Sequence, residues 1–194
     1  MNQAMVDLVV INDSILLDHF GSQLSLERVK EFLDFRKTWL WLNYLIIPLV
    51  YTIKFSLITL WVLSGSILFG YRSSFLEIFR VTVIAEFVWL IPSFITLVWF
   101  GFIYPDYSLL DFQYFKPLSL LNFFDTSKIE SWLIFPLQSL NLFEIVYMFV
   151  LAIGIKKILN KGYIEALNFI APVYGTAFVT WIVIITFLSI NISA

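Results

Sequence analysis

Four long apolar stretches fill most of this 194-residue chain after residue 42. They cover residues 43–69, 78–103, 133–155 and 167–190. As helices rising about 1.5 Å per residue, all four are long enough to cross a hydrocarbon layer of about 30 Å. The chain is 60% hydrophobic and 13% charged, whereas soluble domains average about 45–50% apolar and 25% charged residues. The sequence therefore predicts an all-α, polytopic membrane bundle with four transmembrane helices.

Composition also excludes several function classes. The net charge is −2 and the twelve Lys and Arg residues are scattered, so we expect no nucleic-acid partner. Cysteine is absent, which removes disulfides, thiolate metal sites and cysteine catalysis. The one histidine, His19, and all the aspartates lie outside the four stretches, so no Ser–His pair or aspartyl dyad can form within the membrane. We expect no enzyme, no metal and no cofactor.

Two segments outside the apolar stretches are predicted to lie at the membrane surface. Residues 1–38 form an N-terminal interfacial segment, in which Ser22 or Ser25 would cap an amphipathic helix that leads towards Trp39 and Trp41. Residues 104–132 are rich in aromatic residues and contain prolines and acidic residues. Unpaired backbone is not tolerated in lipid, so this segment predicts one or two short interfacial helices, such as residues 118–124.

Polar and small residues within the stretches follow helical spacing. One face of the second stretch and one stripe of the first are polar, which favours contact with protein or water. The face of the second stretch consists of Thr82, Glu86, Trp89, Ser93 and Thr96. The stripe of the first consists of Thr52, Ser56, Thr59 and Ser66. The fourth stretch carries a small-residue pair, Ala171 and Gly175. Small residues allow helices in lipid to approach closely, so these three faces are the candidate packing surfaces.

Three ionisable residues fall well inside the stretches: Lys54, Glu86 and Glu144. An intramembrane charge marks a functional hypothesis by default. Counted from the tight loops at about 1.5 Å per residue, Glu86 lies about 12 Å deep, Glu144 about 18 Å and Lys54 about 24 Å. This count favours Glu144 as the partner of Lys54, while snorkelling of Lys54 and a proton or cation path through the carboxylates remain alternatives.

Four segments in order resemble the bacterial form of the Yip (Ypt-interacting-protein-like) family of integral membrane proteins, placing a Yip-like transmembrane domain over residues 39–194. These segments are residues 70–75 leading into 79–81, residues 90–92, residues 139–143 and residues 151–155. The resemblance implies a role in membrane organisation or trafficking. The family typically has five spans, and a first segment that re-enters near Pro48 and Lys54 would restore that number.

These observations favour a non-enzymatic adaptor or accessory subunit of a larger membrane assembly, in the bacterial cytoplasmic membrane. Its expected partners are lipids and other membrane proteins, and a small-molecule substrate is not expected. The alternative is a small transporter or channel subunit that uses the intramembrane carboxylates.

Overall fold

The computed structural model describes Leu26–Ser193, and the regular elements of these residues are all helices, with no strand among them. The α-helices are α1 (Leu26–Leu68), α2 (Phe75–Ala85), α3 (Leu90–Val98), α4 (Leu109–Tyr114), α5 (Ser131–Ser139), α6 (Leu142–Leu159) and α7 (Tyr163–Ser193). A 3₁₀ turn, Glu86–Trp89, joins α2 to α3, and a π-helical turn, Trp99–Ile103, follows α3. The all-α prediction is confirmed.

Within Leu26–Ser193, three helical segments are long and apolar enough to cross a membrane: Tyr44–Leu68, Phe75–Ile103 and Tyr163–Asn191. They correspond to the first, second and fourth predicted spans, and they make the chain an integral membrane protein. The predicted third span is divided instead, because α5 ends at Ser139 and α6 begins at Leu142. Between these helices, the amide of Leu142 donates to the carbonyl of Leu118, 3.1 Å away.

Helix α1 is uninterrupted from Leu26 to Leu68 and passes through Pro48. The re-entrant alternative, with a bend near Pro48 and Lys54, is therefore wrong. The Thr52 hydroxyl donates to the carbonyl of Pro48 at 2.8 Å, within the same helix. No helix end marks the predicted boundary after residue 38, and the predicted caps Ser22 and Ser25 lie outside the described residues.

Local sequence signals define both ends of the loop between α1 and α2. Gly70 adopts a φ of 74°, a left-handed conformation that favours glycine. Its amide and that of Tyr71 donate to the carbonyls of Ile67 and Ser66, which is the hydrogen-bond pattern of a Schellman motif. Ser74 then opens α2 with a capping box to Glu77. These signals fold residues 53–90 into a tight helical hairpin.

Residues 53–90 and 116–193 form one compact unit. Within it α6 packs along α7, and it also contacts α2, while α5 packs on α7. Two glycines allow close helix contact. A Cβ added at Gly154 would lie within 3.1 Å of three Val81 atoms, and one at Gly65 within 3.3 Å of three Val173 atoms. These contacts hold α6 against α2 and α7 against α1.

The second unit contains residues 91–115 and the described part of α1 up to Thr52. Phe100 and Phe112 are buried against each other, with ring centroids 5.3 Å apart. Helix α4 carries Phe112, and its capping box joins Ser108 to Asp111. Residues 104–132 thus contain one short α-helix, and a 3₁₀ turn at Leu120–Phe123 lies within the predicted 118–124 helix.

The close contact of α6 with α2 gives a stability prediction. Gly154→Ala should destabilise the protein by about 1–3 kcal/mol, because the new methyl group overpacks against Val81. Adding Val81→Ala should restore part of the loss. Gly175→Ala is the matched control, since a Cβ there meets no described atom within 4 Å. Thermal unfolding in detergent measures all of these variants, and equal melting temperatures for Gly154→Ala and Gly175→Ala would contradict the packing argument.

Candidate functional site

A salt bridge joins the two helices of the hairpin. Lys54 Nζ lies 2.5 Å from Glu86 Oε1, and the side chains are 32% and 11% exposed. Lys54 stands sixteen residues before Gly70 and Glu86 sixteen residues after it. Within the helices, Lys54 lies fourteen residues before the end of α1 at Leu68 and Glu86 eleven after the start of α2 at Phe75, so the rise of about 1.5 Å per residue brings them to similar depths of about 21 and 16 Å.

The same symmetry aligns two other polar pairs in the hairpin. The Thr59 hydroxyl donates to that of Thr82 at 3.4 Å, and the hydroxyls of Ser66 and Ser73 lie 2.6 Å apart. Thr59, Thr82 and Ser66 are buried. The polar faces predicted for the first two spans therefore meet in this hairpin, and they include an ion pair as well as hydroxyl contacts.

The predicted preference of Lys54 for Glu144 is wrong, since its salt bridge is with Glu86. The count placed Glu86 at about 12 Å, but α2 begins at Phe75, which puts Glu86 about 16 Å from the start of its helix. Lys54 lies about 21 Å from the end of α1 at Leu68, so the two residues are at similar depths. Glu144 nevertheless lies within electrostatic range of both.

Glu144 has its own partner, because it accepts a hydrogen bond from the hydroxyl of Tyr174 on α7. The backbone around Glu144 is fixed by Asn141, whose side chain accepts from the Glu144 amide at 3.0 Å and caps α6. Tyr147, one turn further along α6, is fully buried and packs on Tyr174 with ring centroids 5.3 Å apart. Tyr147 also interacts electrostatically with Glu86 and Glu144.

Trp89 lies between the Lys54–Glu86 salt bridge and the tyrosine pair beside Glu144. Lys54 Nζ lies 5.7 Å from the centroid of the Trp89 ring, within the range of a cation–π interaction. The Trp89 ring lies 6.3 Å from that of Tyr147. We call the group of six side chains the ionic cluster: Lys54, Glu86, Trp89, Glu144, Tyr147 and Tyr174.

Two polar atoms of the ionic cluster are buried without a hydrogen-bond partner among the described residues: Glu86 Oε2 and the Tyr147 hydroxyl oxygen. The cluster contains one ammonium group and two carboxyl groups. If both carboxyl groups are ionised, its charge is −1. A buried charge of this kind is costly unless a further positive charge or a donor balances it.

Both carboxylates stand at interruptions of their helices. Glu86 begins the 3₁₀ turn that ends α2, and Glu144 lies in the first turn of α6, directly after the break. Lys54 is ten residues from the nearer end of its candidate span, while Glu86 and Tyr174 are each eleven residues from the nearer ends of theirs. At about 1.5 Å per residue, these positions are near the middle of a hydrocarbon layer of about 30 Å.

The predicted site residues thus divide into two groups. Lys54, Glu86 and Glu144 come together in the ionic cluster, whereas Ala171 and Gly175 line an open apolar groove on α7. Sequence reasoning missed Tyr147 and Tyr174. The spacing of Glu144 and Tyr147 was a usable signal, because residues three apart share one face of a helix.

Comparison with protein-family models, with curated proteins and with solved structures found no significant match to this chain. The resemblance to the Yip family therefore stays a prediction from its four short segments. The chemistry of the ionic cluster is the remaining basis for an argument about function.

The Lys54–Glu86 salt bridge gives a second prediction, by double-mutant cycle. Lys54→Met and Glu86→Gln should each destabilise the protein, and the double variant should lose less than the sum, because each single change leaves one buried charge unpaired. The coupling energy should exceed the roughly 1 kcal/mol measured for exposed ion pairs. It should be smaller than the roughly 3–5 kcal/mol lost when a fully buried ion pair is broken. Thermal unfolding in detergent measures it.

The matched cycle combines Lys54→Met with Glu144→Gln. The salt bridge of Lys54 is with Glu86, so the second coupling should be clearly smaller. A larger coupling with Glu144 would contradict the assignment of the salt bridge.

Proposed function

We propose that this chain is a non-enzymatic integral membrane protein that acts as a small transporter or channel subunit, with Lys54, Glu86 and Glu144 as its ion-binding residues. One observation carries the proposal. Near the middle of the candidate spans, one carboxylate at a helix interruption is paired with Lys54, and a second, Glu144 at the start of α6, is bonded to Tyr174.

Helix interruptions at this depth support the proposal on physical grounds. In many transporters the binding site lies near the bilayer midplane and is built from discontinuous helices, whose free backbone groups and helix ends face the ion or substrate. Glu86 and Glu144 each stand at such an interruption. Ionisable residues within the membrane are costly, and they commonly mark ion or proton pathways.

A purely structural role would account for part of the ionic cluster. The Lys54–Glu86 salt bridge ties α1 to α2, and the Tyr174–Glu144 hydrogen bond ties α7 to α6. A cluster that only held the helices together would not be stabilised by a second carboxyl group that leaves the charges unbalanced. Nor would it be stabilised by two buried oxygens without hydrogen-bond partners. The proposal accounts for these features because an ion-binding site must gain and release charge.

The proposal includes a four-span topology, in which α5 and α6 together make the third crossing. Helix α6 runs from the region of Glu144 to the short turn before Tyr163, and it packs along α7. The Phe169 ring near the start of α7 contacts Phe69 and Tyr71, at 5.4 and 5.3 Å between centroids. The loop at Gly70 and the α6–α7 turn are therefore at the same end of this unit.

Single cysteines test the topology, because the chain contains no cysteine of its own. Four spans predict that Glu27→Cys and Lys128→Cys are labelled from one side of the membrane, and Arg72→Cys and Gly162→Cys from the other. A membrane-impermeant thiol reagent applied to intact and to opened vesicles measures the sidedness. Labelling of Lys128→Cys and Gly162→Cys from the same side would mean that α5 and α6 do not cross.

The second candidate function is the adaptor or accessory subunit, in the bacterial cytoplasmic membrane. The open groove of α7 favours it, since Ala171 and Gly175 remove side-chain bulk one turn apart and a Cβ at Gly175 meets no described atom. A Yip-like role in membrane organisation would fit this surface. Such a protein should show no ion flux by itself, so one experiment separates the two candidates.

Reconstituted protein provides this test. Purified wild-type protein in liposomes should carry proton or monovalent-cation flux down an imposed gradient, measured with entrapped pH-sensitive and cation-sensitive dyes. We expect Glu86→Gln and Glu144→Gln to reduce the flux at least tenfold, because each removes a carboxylate from the ionic cluster. Glu130→Gln, an exposed carboxylate outside the candidate spans, should leave it unchanged.

Two outcomes would contradict the transport proposal. Flux that persists in both cluster variants would show that the carboxylates are not on the path. No flux from correctly inserted wild-type protein would favour the adaptor function.

A further inference from the structure

We infer that the ionic cluster is the binding site of a single proton, held by Glu144 and stabilised by Tyr174, Tyr147 and the Lys54–Glu86 salt bridge. This inference rests on the proposed function, because it names the ion that the site exchanges. It follows from the charge, the hydrogen-bonding groups and the ligand chemistry of the cluster.

Charge balance gives the number of protons. Lys54 supplies one positive charge and is bonded directly to Glu86, so that pair is neutral. Glu144 has no salt bridge among the described residues and accepts a hydrogen bond from Tyr174. One proton on Glu144 makes the whole cluster neutral, which is the cheapest state in a medium of low dielectric constant.

The hydrogen-bonding groups point to the same site. Tyr147 is fully buried on the same face of α6 as Glu144, and its hydroxyl group has no hydrogen-bond partner among the described residues. Glu86 Oε2 is the second buried atom without a partner. Tyr147 interacts electrostatically with both carboxyl groups. Its hydroxyl can both donate and accept, so it is a buried polar group that a change of protonation at the carboxyl groups could engage.

A proton suits this site better than a metal ion does. No group of three or more His, Cys, Asp or Glu side chains among the described residues is arranged to hold a metal. Lys54 Nζ is already within 2.5 Å of Glu86, and an ammonium group repels a second cation at such a position. A proton needs one carboxylate oxygen, whereas hard cations need several oxygen ligands.

The exchange is a simple acid–base step. A proton from water converts the Glu144 carboxylate to a carboxylic acid, and the charge of the cluster changes from −1 to 0. Release returns the proton to water and restores the carboxylate. Among the described residues, four titratable groups surround or influence Glu144: Tyr174 on α7, which bonds to it, and Lys54 on α1, Glu86 on the 3₁₀ turn and Tyr147 on α6, which act on it electrostatically.

Infrared difference spectroscopy of the full chain in detergent tests the inference. Between mildly acidic and alkaline pH, exposed carboxyl groups with a pKa near about 4 stay ionised. The wild type should therefore show one carboxylic-acid carbonyl band that disappears as the pH rises. Glu144→Gln should lack this band, Glu144→Asp should keep it at a shifted frequency, and Glu130→Gln should match the wild type. The Asp variant keeps the test valid if the Gln variant does not fold.

The outcomes separate this inference from the transport proposal. A wild type without the band, or a band unchanged in both Glu144 variants, would overturn the proton site. If flux is then still measured in liposomes, transport stands and the exchanged ion is not this proton. The expected band without flux would support the proton site and overturn transport.

Discussion

The cost of a charge in lipid is the constraint on which the rest of this structure depends. Lys54 and Glu86 are tolerated near the middle of the candidate spans because they neutralise each other. Their contact requires α1 and α2 to be antiparallel and aligned in depth. The hairpin, its loop and the close contact of α2 with α6 are all consistent with that requirement.

Glu144 meets the same constraint without a cation of its own. It lies in the first turn of a helix, where the aligned peptide dipoles favour a negative charge, and it accepts a hydrogen bond from Tyr174. This environment depends on the break between α5 and α6, because an unbroken helix would have no amino-terminal end there. The break that divides the predicted third span therefore also shapes the ionic cluster.

Much of this architecture was predictable from the sequence, since the apolar stretches located three of the spans and the spacing of hydroxyl residues located the hairpin faces. The partner of Lys54 was not predicted, because the depth count placed Glu86 at about 12 Å, whereas α2 begins three residues before the apolar stretch. The Ser74–Glu77 capping box marks that start. The break before α6 could not be inferred from hydropathy, because the two residues between the helices, Leu140 and Asn141, interrupt the apolar stretch at a single polar position. The contact of Tyr174 with Glu144 joins residues thirty positions apart and depends on tertiary packing.

The position of the salt bridge along the chain bears on how the protein enters the membrane during synthesis. Lys54 and Glu86 are thirty-two residues apart within one hairpin, so the ribosome delivers both before any of α5, α6 or α7 exists. The first two helices can partition into lipid together as a neutral unit. Glu144 follows fifty-eight residues after Glu86 and must enter beside a hairpin whose lysine is already engaged. The order of translation therefore presents the first carboxylate to Lys54 before the second is made.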